Sequence, residues 1–179
     1  MSAVASVAVE TIFSPWDNTQ SRFLDFIGAA TKSLYVVIYG FHLPLLTDLL
    51  IAHQKAGLTI GLILDHSQEQ GKAEQGEVQR LVAARVPLLV GTSPVHGQIL
   101  HSKFSVRDEL SVESGSWNYS LSASAQSNTM TFVSDPTYAA AFVFHYHRLH
   151  AAIVLHDMAM QPAGALVAPD SPVSKESAA

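Results

Sequence analysis

His101-Ser102-Lys103-Phe104-Ser105-Val106-Arg107-Asp108, followed shortly by Gly115-Ser116-Trp117-Asn118, is the stretch that decides the reading of this 179-residue chain. Residues 100–107 and 110–113 carry strand patterns on either side of Asp108-Glu109, which predicts a hairpin turning there. On a strand, residues two apart share a face, so His101 and Lys103 are expected to project together. An imidazole beside an ammonium suits an anionic substrate: the cation stabilises charge, and a neutral imidazole can attack phosphorus. Residues 117–125 read as a short helix. Gly115, Ser116 and Asn118 are then expected to offer a hydroxyl, a carboxamide and free N–H groups at a helix start, where phosphate binds. Asp108 sits at the turn and is better placed to fix the loop, by capping or ion pairing, than to do chemistry.

Outward from this stretch, strand-like runs alternate with helix-like segments, which points to an α/β fold. Residues 4–11 alternate and read as a strand, broken by Phe13-Ser14-Pro15. Asp17 or Asn18 can cap a helix whose Phe23, Phe26, Ile27 and Ala30 recur at helical spacing. Residues 34–39 form a short apolar run, expected as a buried strand. Pro44 opens a second helix that Gly57 closes. Residues 58–64 are another buried strand, ended by Asp65. Residues 69–84 read as a polar helix with a stripe of Val78, Leu81 and Val82. Residues 86–90 read as a strand, 91–97 as a loop and 129–133 as a strand. Pro136 starts a long helix to about His156. From Gln161 the composition shifts to Pro, Ser, Ala and Val, so residues 1–160 are expected to be the domain and 161–179 a disordered tail. No internal repeat is found.

The composition bounds the function. Hydrophobic residues make up 48% and charged residues 14%, which fits a compact domain with one sizeable core. The net charge of −5 argues against broad nucleic-acid binding, so any phosphate-handling site must be a local concentration of cations and histidines. The absence of cysteine excludes disulfides, thiolate metal sites and a cysteine nucleophile. Residues 1–10 show no basic n-region or Leu-rich core, and no stretch of ~18 apolar residues exists. A cytoplasmic location without stable membrane association is therefore expected.

The pattern H-x-K-x4-D followed by G-S-x-N resembles the signature of the phospholipase D superfamily. The chain is similar to its single-motif bacterial endonuclease branch, through Phe13-Ser14-Pro15, Tyr39-Gly40-Phe41, Asp65, residues 112–120 and the aromatic helix around Phe142 and Tyr146. The resemblance implies a mixed β-sheet flanked by helices on both faces, with one motif per chain and two chains per active site. It implies that one His101 attacks phosphorus to form a phosphohistidine, and that the partner's His101 protonates the leaving oxygen. Lys103 and Asn118 from both chains would hold the phosphoryl oxygens, with Ser116 assisting, and no metal or other cofactor would be needed. The branch usually carries a glutamate that orients the histidine, at a position that falls on Thr129 here. Threonine can accept a hydrogen bond but brings no charge to stabilise the imidazolium. Glu113 is the nearest acid, but the family motif has an acid there too, so it is not credited with the missing function.

Three functions follow from these residues. The leading one is a metal-independent endonuclease, acting as a homodimer on DNA and possibly RNA. The second is a lipid phosphodiesterase of phospholipase or cardiolipin-hydrolase type. The third is a catalytically weak or inactive member that binds nucleic acid or protein, as Thr129 and the acidic charge suggest.

Other residues have both a functional and a plain reading. Lys72, in Glu69-Gln70-Gly71-Lys72, can meet substrate phosphate or lie on a solvated helix start. His66 follows the strand end at Asp65, a place that faces ligand crevices in α/β folds; His96 precedes the motif. His147 and His150 share a helix face, and His145 does not share it; a partly buried or interface helix explains them better than a metal. Trp16 and Trp117 can stack on bases, though Trp117 can equally pack. Tyr138, Phe142, Tyr146 and Leu149 suit a core face better than a lipid-binding one.

Overall fold

In a computed structural model, the described residues are 7–69 and 72–160, with the side chains of 69, 72–73 and 157–160 outside the description. The expected strand start at residues 4–6 and the expected tail at 161–179 also lie outside the described residues.

Seven strands form one mixed sheet in the order β1-β9-β7-β6-β2-β4-β5. They are β1 (Ala8–Ser14), β2 (Ser33–Ile38), β4 (Thr59–Asp65), β5 (Leu88–Gly91), β6 (Lys103–Arg107), β7 (Ser111–Gly115) and β9 (Asn128–Ser134). β2, β4 and β5 run parallel; β6, β7, β9 and β1 add as antiparallel neighbours. The parallel strands are covered on both faces, which is why β2 and β4 read as nearly continuous apolar runs.

On one face lie α1 (Thr19–Gly28), α2 (Pro44–Lys55) and α4 (Lys72–Ala83), over a core that includes Phe23, Phe26, Leu46, Leu50, Leu62 and Trp117. Asn18 caps α1 by accepting from the Ser21 amide, and Pro44 stands at the start of α2. On the other face lies α5 (Pro136–Met160), capped by Asp135, whose Oδ1 accepts from the Tyr138 amide at 2.6 Å. It buries Ala139, Tyr146, Leu149 and Ile153 against Val37, Ile63, Phe104 and Val106. Two glycines let it lie close. A Cβ on Gly61 would stand 2.2 Å from the Tyr146 hydroxyl, and one on Gly91 would stand 2.4 Å from Ile153. The sheet is thus flanked by helices on both faces, as expected.

Three local expectations are corrected. The first strand lies at residues 8–14 rather than 4–11, because its pairing with β9 runs from Ala8↔Ser134 to Ser14↔Asn128. The expected polar helix begins earlier, as α3 (His66–Glu69), before α4, and Val82 is 58% exposed instead of joining Val78 and Leu81 in the core. Residues 117–125 do not form one helix. Tyr119–Ser120 is a short strand, β8, paired with β3 (Phe41–His42), and Leu121–Ala125 is a single 3-10 turn. The Tyr119 amide donates to the Gly40 carbonyl, and this long-range partner competes successfully with helix formation.

Candidate active site

β6 carries the motif between two anchors. At its far end Asp108 closes the hairpin with a positive φ of 55°. Its carboxylate accepts from the backbone amides of Thr31, Lys32 and Ser33 and from the Thr31 hydroxyl, at 2.6 to 3.1 Å. Burial alone would raise its pKa, but these donors outweigh it and hold the carboxyl below the usual range. Asp108 is at the opposite end of the strand from the site.

At the near end the chain meets Asp65, which is fully buried at the end of β4. One carboxylate oxygen accepts from the Leu100 amide at 2.7 Å; the other accepts from the amide and hydroxyl of Ser67. Because Leu100 spends its amide on Asp65, the ladder with β2 starts only at Lys103↔Ile38. His101 therefore precedes the strand and does not lie on it, a correction to the expected 100–107 span.

His101 and Lys103 nevertheless meet the same side chain. The ring of Tyr39 lies 4.8 Å from the imidazole, centroid to centroid, and the Lys103 ammonium lies 5.1 Å from its centre. The ammonium also donates to the His101 carbonyl at 2.9 Å. Lys103 is buried, and burial pushes its pKa down. Gln68 donates to the Tyr39 hydroxyl at 2.8 Å and so steadies the ring. His101 itself is exposed.

The second part of the motif divides. Asn118 comes in beside Gly40: a Cβ there would stand 3.2 Å from the Asn118 carboxamide carbon, a tight contact that would push the carboxamide by a few tenths of an ångström. The Asn118 carboxamide oxygen is buried without a hydrogen-bond partner. Gly115 and Ser116 are held instead by β9. The Ser116 amide donates to the Thr129 carbonyl at 3.0 Å, and the Ser116 hydroxyl accepts from the Thr129 amide and donates to the Asn128 carboxamide. A Cβ on Gly115 would stand 2.0 Å from the Thr129 carbonyl. No free helix start exists here, so the expected row of open N–H groups is withdrawn. The side chain of Thr129 is exposed, and the imidazole of His101 makes no hydrogen bond among the described residues.

Glu113 lies under the site. It is fully buried opposite Ser105, and its carboxyl accepts from the Tyr119 hydroxyl, which also bonds Ser105 at 2.7 Å. Burial pushes its pKa up to about 8 against the pull of that hydroxyl, so the group is protonated at neutral pH.

His101 opens into a cavity of about 610 Å³ between the loop after β5 and α5, shared with Ile99, Leu100, His145, Arg148, Leu149 and Leu155. His66 is exposed and lines an adjoining cavity with His156. The Lys72 side chain lies outside the described residues. His96 is exposed in the loop; Trp16 is 79% exposed, whereas Trp117 is buried against Phe23 and Tyr119. His147 and His150 pack against Tyr146. Among the described residues no three His, Asp or Glu side chains converge as a metal site. Asp65, Gln68 and the Tyr39 ring are the positioning groups that motif reading leaves out; the one signal for Asp65 is its place at a strand end.

Comparison with known proteins then fixes the lineage. A family model described as the PLD-like domain of cardiolipin synthase matches residues 23–149. The chain belongs to the phospholipase D superfamily. A phospholipase D of Rickettsia bellii is 31% identical over 69% of this chain, and a mitochondrial cardiolipin hydrolase of Chlamydomonas reinhardtii is 24% identical over 76%. The chain spans about three fifths of the length of these two curated relatives, 59% and 60%. Among solved structures, the phospholipase D family member Nuc from Salmonella typhimurium matches with a TM-score of 0.73 at 23% identity, covering 80% of this chain and 93% of its own. NucT from Helicobacter pylori matches with a TM-score of 0.73 at 16% identity, over 83% and 98%. At these identities the structural likeness establishes the fold. No helix among the described residues is long and apolar enough to cross a membrane.

Proposed function

We propose that this superfamily member is a metal-independent phosphodiesterase that cleaves nucleic acid, DNA foremost, in a homodimeric site. The observation that carries the reading is the convergence of His101, Lys103 and Asn118 on the Tyr39-Gly40 segment, with His101 also lining an open cavity. A neutral His101 attacks phosphorus, a P–N bond forms, and the leaving oxygen departs with a proton from the partner's His101. Water then attacks the phosphohistidine, giving its proton to that second imidazole. Lys103 supplies the positive charge for the developing oxyanion, and its burial strengthens that charge's effect. Asn118 supplies a carboxamide donor. A lone motif favours the dimer, since in a monomer one imidazole would have to serve both as nucleophile and as leaving-group acid.

The test is cleavage of plasmid and single-stranded DNA in EDTA at low salt. The parent protein is expected to cleave and His101→Ala to lose at least ~1,000-fold. Thr129→Glu is expected to cleave faster, because a carboxylate would stabilise the imidazolium. Absence of cleavage by both the parent and Thr129→Glu, with retained binding, would assign the chain to the inactive nucleic-acid-binding class.

A second reading, lipid phosphodiester hydrolysis, is favoured by one observation: the floor of the cavity at His101 is aliphatic, with Ile99, Leu100, Leu149 and Leu155. Release of phosphatidic acid from vesicles without DNA cleavage would select it.

A further inference from the structure

Two cavities adjoin along α5. The one at His101 also contains His145 and Arg148; its neighbour, about 310 Å³, contains His66 and His156. Ser93, Pro94 and Ala152 line both, so the two make one trench between the loop after β5 and the second half of α5.

The charge of this trench runs against that of the chain. Acidic residues outnumber Lys and Arg by 15 to 10. Yet no Asp or Glu lines either cavity among the described residues, while four of the nine histidines do. Arg148 is also unlike Arg22 and Arg80, whose guanidiniums are tied to Glu10 and to Asp48 and Glu77. Its guanidinium makes no ion pair among the described residues and lies 5.8 Å from the centre of the Phe144 ring. His145 to His156 spans about 16 Å of helix axis, room for more than one phosphate of an extended strand. Arg148, imidazoles that can hydrogen-bond along an open track, the lack of carboxylates among the described lining residues and an apolar floor complement a strand of repeated phosphates better than a single head group.

We infer that this trench is the track of the substrate strand to one side of the scissile phosphate. A single-stranded polynucleotide lies along α5, Arg148 and His145 hold the phosphate next to the one at His101, and sugars and bases rest on Leu149, Ala152 and Leu155. This rests on the phosphodiesterase reading of His101 and names its substrate class and direction of binding.

The experiment compares the parent, Arg148→Ala and Ala152→Phe on a long single-stranded oligonucleotide and on bis(p-nitrophenyl) phosphate, which is too small to occupy the trench. Arg148→Ala is expected to lower kcat/KM on the oligonucleotide about ten-fold and to make its log–log salt dependence shallower by about 0.7. Ala152→Phe, which narrows the trench where the cavities join, is expected to act in the same direction. The loss on the small diester is expected to be at least about five-fold smaller for both variants, since it gains nothing from contacts beyond the scissile phosphate. Anisotropy of a labelled strand on the His101→Ala background repeats the comparison without turnover. Equal losses on both substrates, or unchanged cleavage and binding of the oligonucleotide, would overturn the trench. So would a parent that releases phosphatidic acid from vesicles and neither binds nor cleaves the strand. Equal turnover of the small diester by parent and His101→Ala would instead overturn the His101 reading alone.

Discussion

Asp108 stands in the turn and Glu113 on the second arm of one hairpin, and their carboxyls are held in opposite ways. Asp108 is half-buried and surrounded by donors from residues 31–33, which keep it charged. Glu113 is fully buried, has one strong donor in Tyr119, and leaves its second oxygen without a partner. The difference teaches that charge at these positions follows the number of donors reaching the carboxyl relative to its desolvation. Asp108 behaves as an ionic clip joining the hairpin to the start of β2. Glu113 behaves as a neutral hydrogen-bonding group beneath the site.

The sharpest way to break this comparison is Asp108→Ala. It strands three backbone donors at once and is expected to cost about 3 kcal/mol in urea unfolding. The acid side gives the sign. The folded pKa lies below 3.8, so the clip's contribution is present above that value and is lost as pH falls through the lower folded value. Asp108→Asn should lack this acid limb.

Next in size is Tyr119→Phe. Removing the hydroxyl leaves Glu113 and Ser105 without their buried partner, at an expected ~1.5 kcal/mol, with the cavity at His101 unaltered. Glu113→Gln sharpens the contrast from the other side. The folded pKa of about 8 lies above the usual 4.5, so the favourable contribution is complete below 4.5 and is lost as pH rises to about 8. Parent stability should therefore decline over that window while Glu113→Gln stays flat, a divergence that urea unfolding at pH 5 and pH 8 would read directly. The smallest effect is expected where no carboxylate stands at all. Tyr39→Leu should slow turnover about four-fold by removing the ring beside His101 and Lys103. Tyr39→Phe, which loses only the bond from Gln68, should stay within about two-fold of the parent.

The parts of the fold that are legible in the sequence are those set by local chemistry. The apolar runs of β2 and β4, the cap at Asn18, the prolines at 44 and 136 and the turn at Asp108-Glu109 all stand where local rules put them. What is illegible depends on partners far along the chain. Asp108 at a turn can be read from its residue type, but its donors lie 75 to 77 positions away. Residues 117–125 read as a short helix, and the pairing of Tyr119 with Phe41 makes Tyr119–Ser120 a strand instead. The motif spacing of His101 and Lys103 suggests one strand face, yet the common direction of the two side chains comes from Tyr39 and from the capture of Leu100 by Asp65. The burial of Glu113 is equally non-local, since Ser105 and Tyr119 have to close over it.

The pairing of β1 with β9 joins Ala8 to Ser134 and Ser14 to Asn128. As the chain leaves the ribosome, β1 emerges well before β9 and has no ladder to join until every other strand of the sheet has followed. Val9 and Phe13 stay 62% and 48% exposed even after pairing, so the waiting strand is an apolar edge. A contact closing so long a loop slows folding and prolongs the interval in which that edge is uncovered. The productivity of expression should therefore respond to temperature and to a charge placed at Val9, on the outer edge of the sheet.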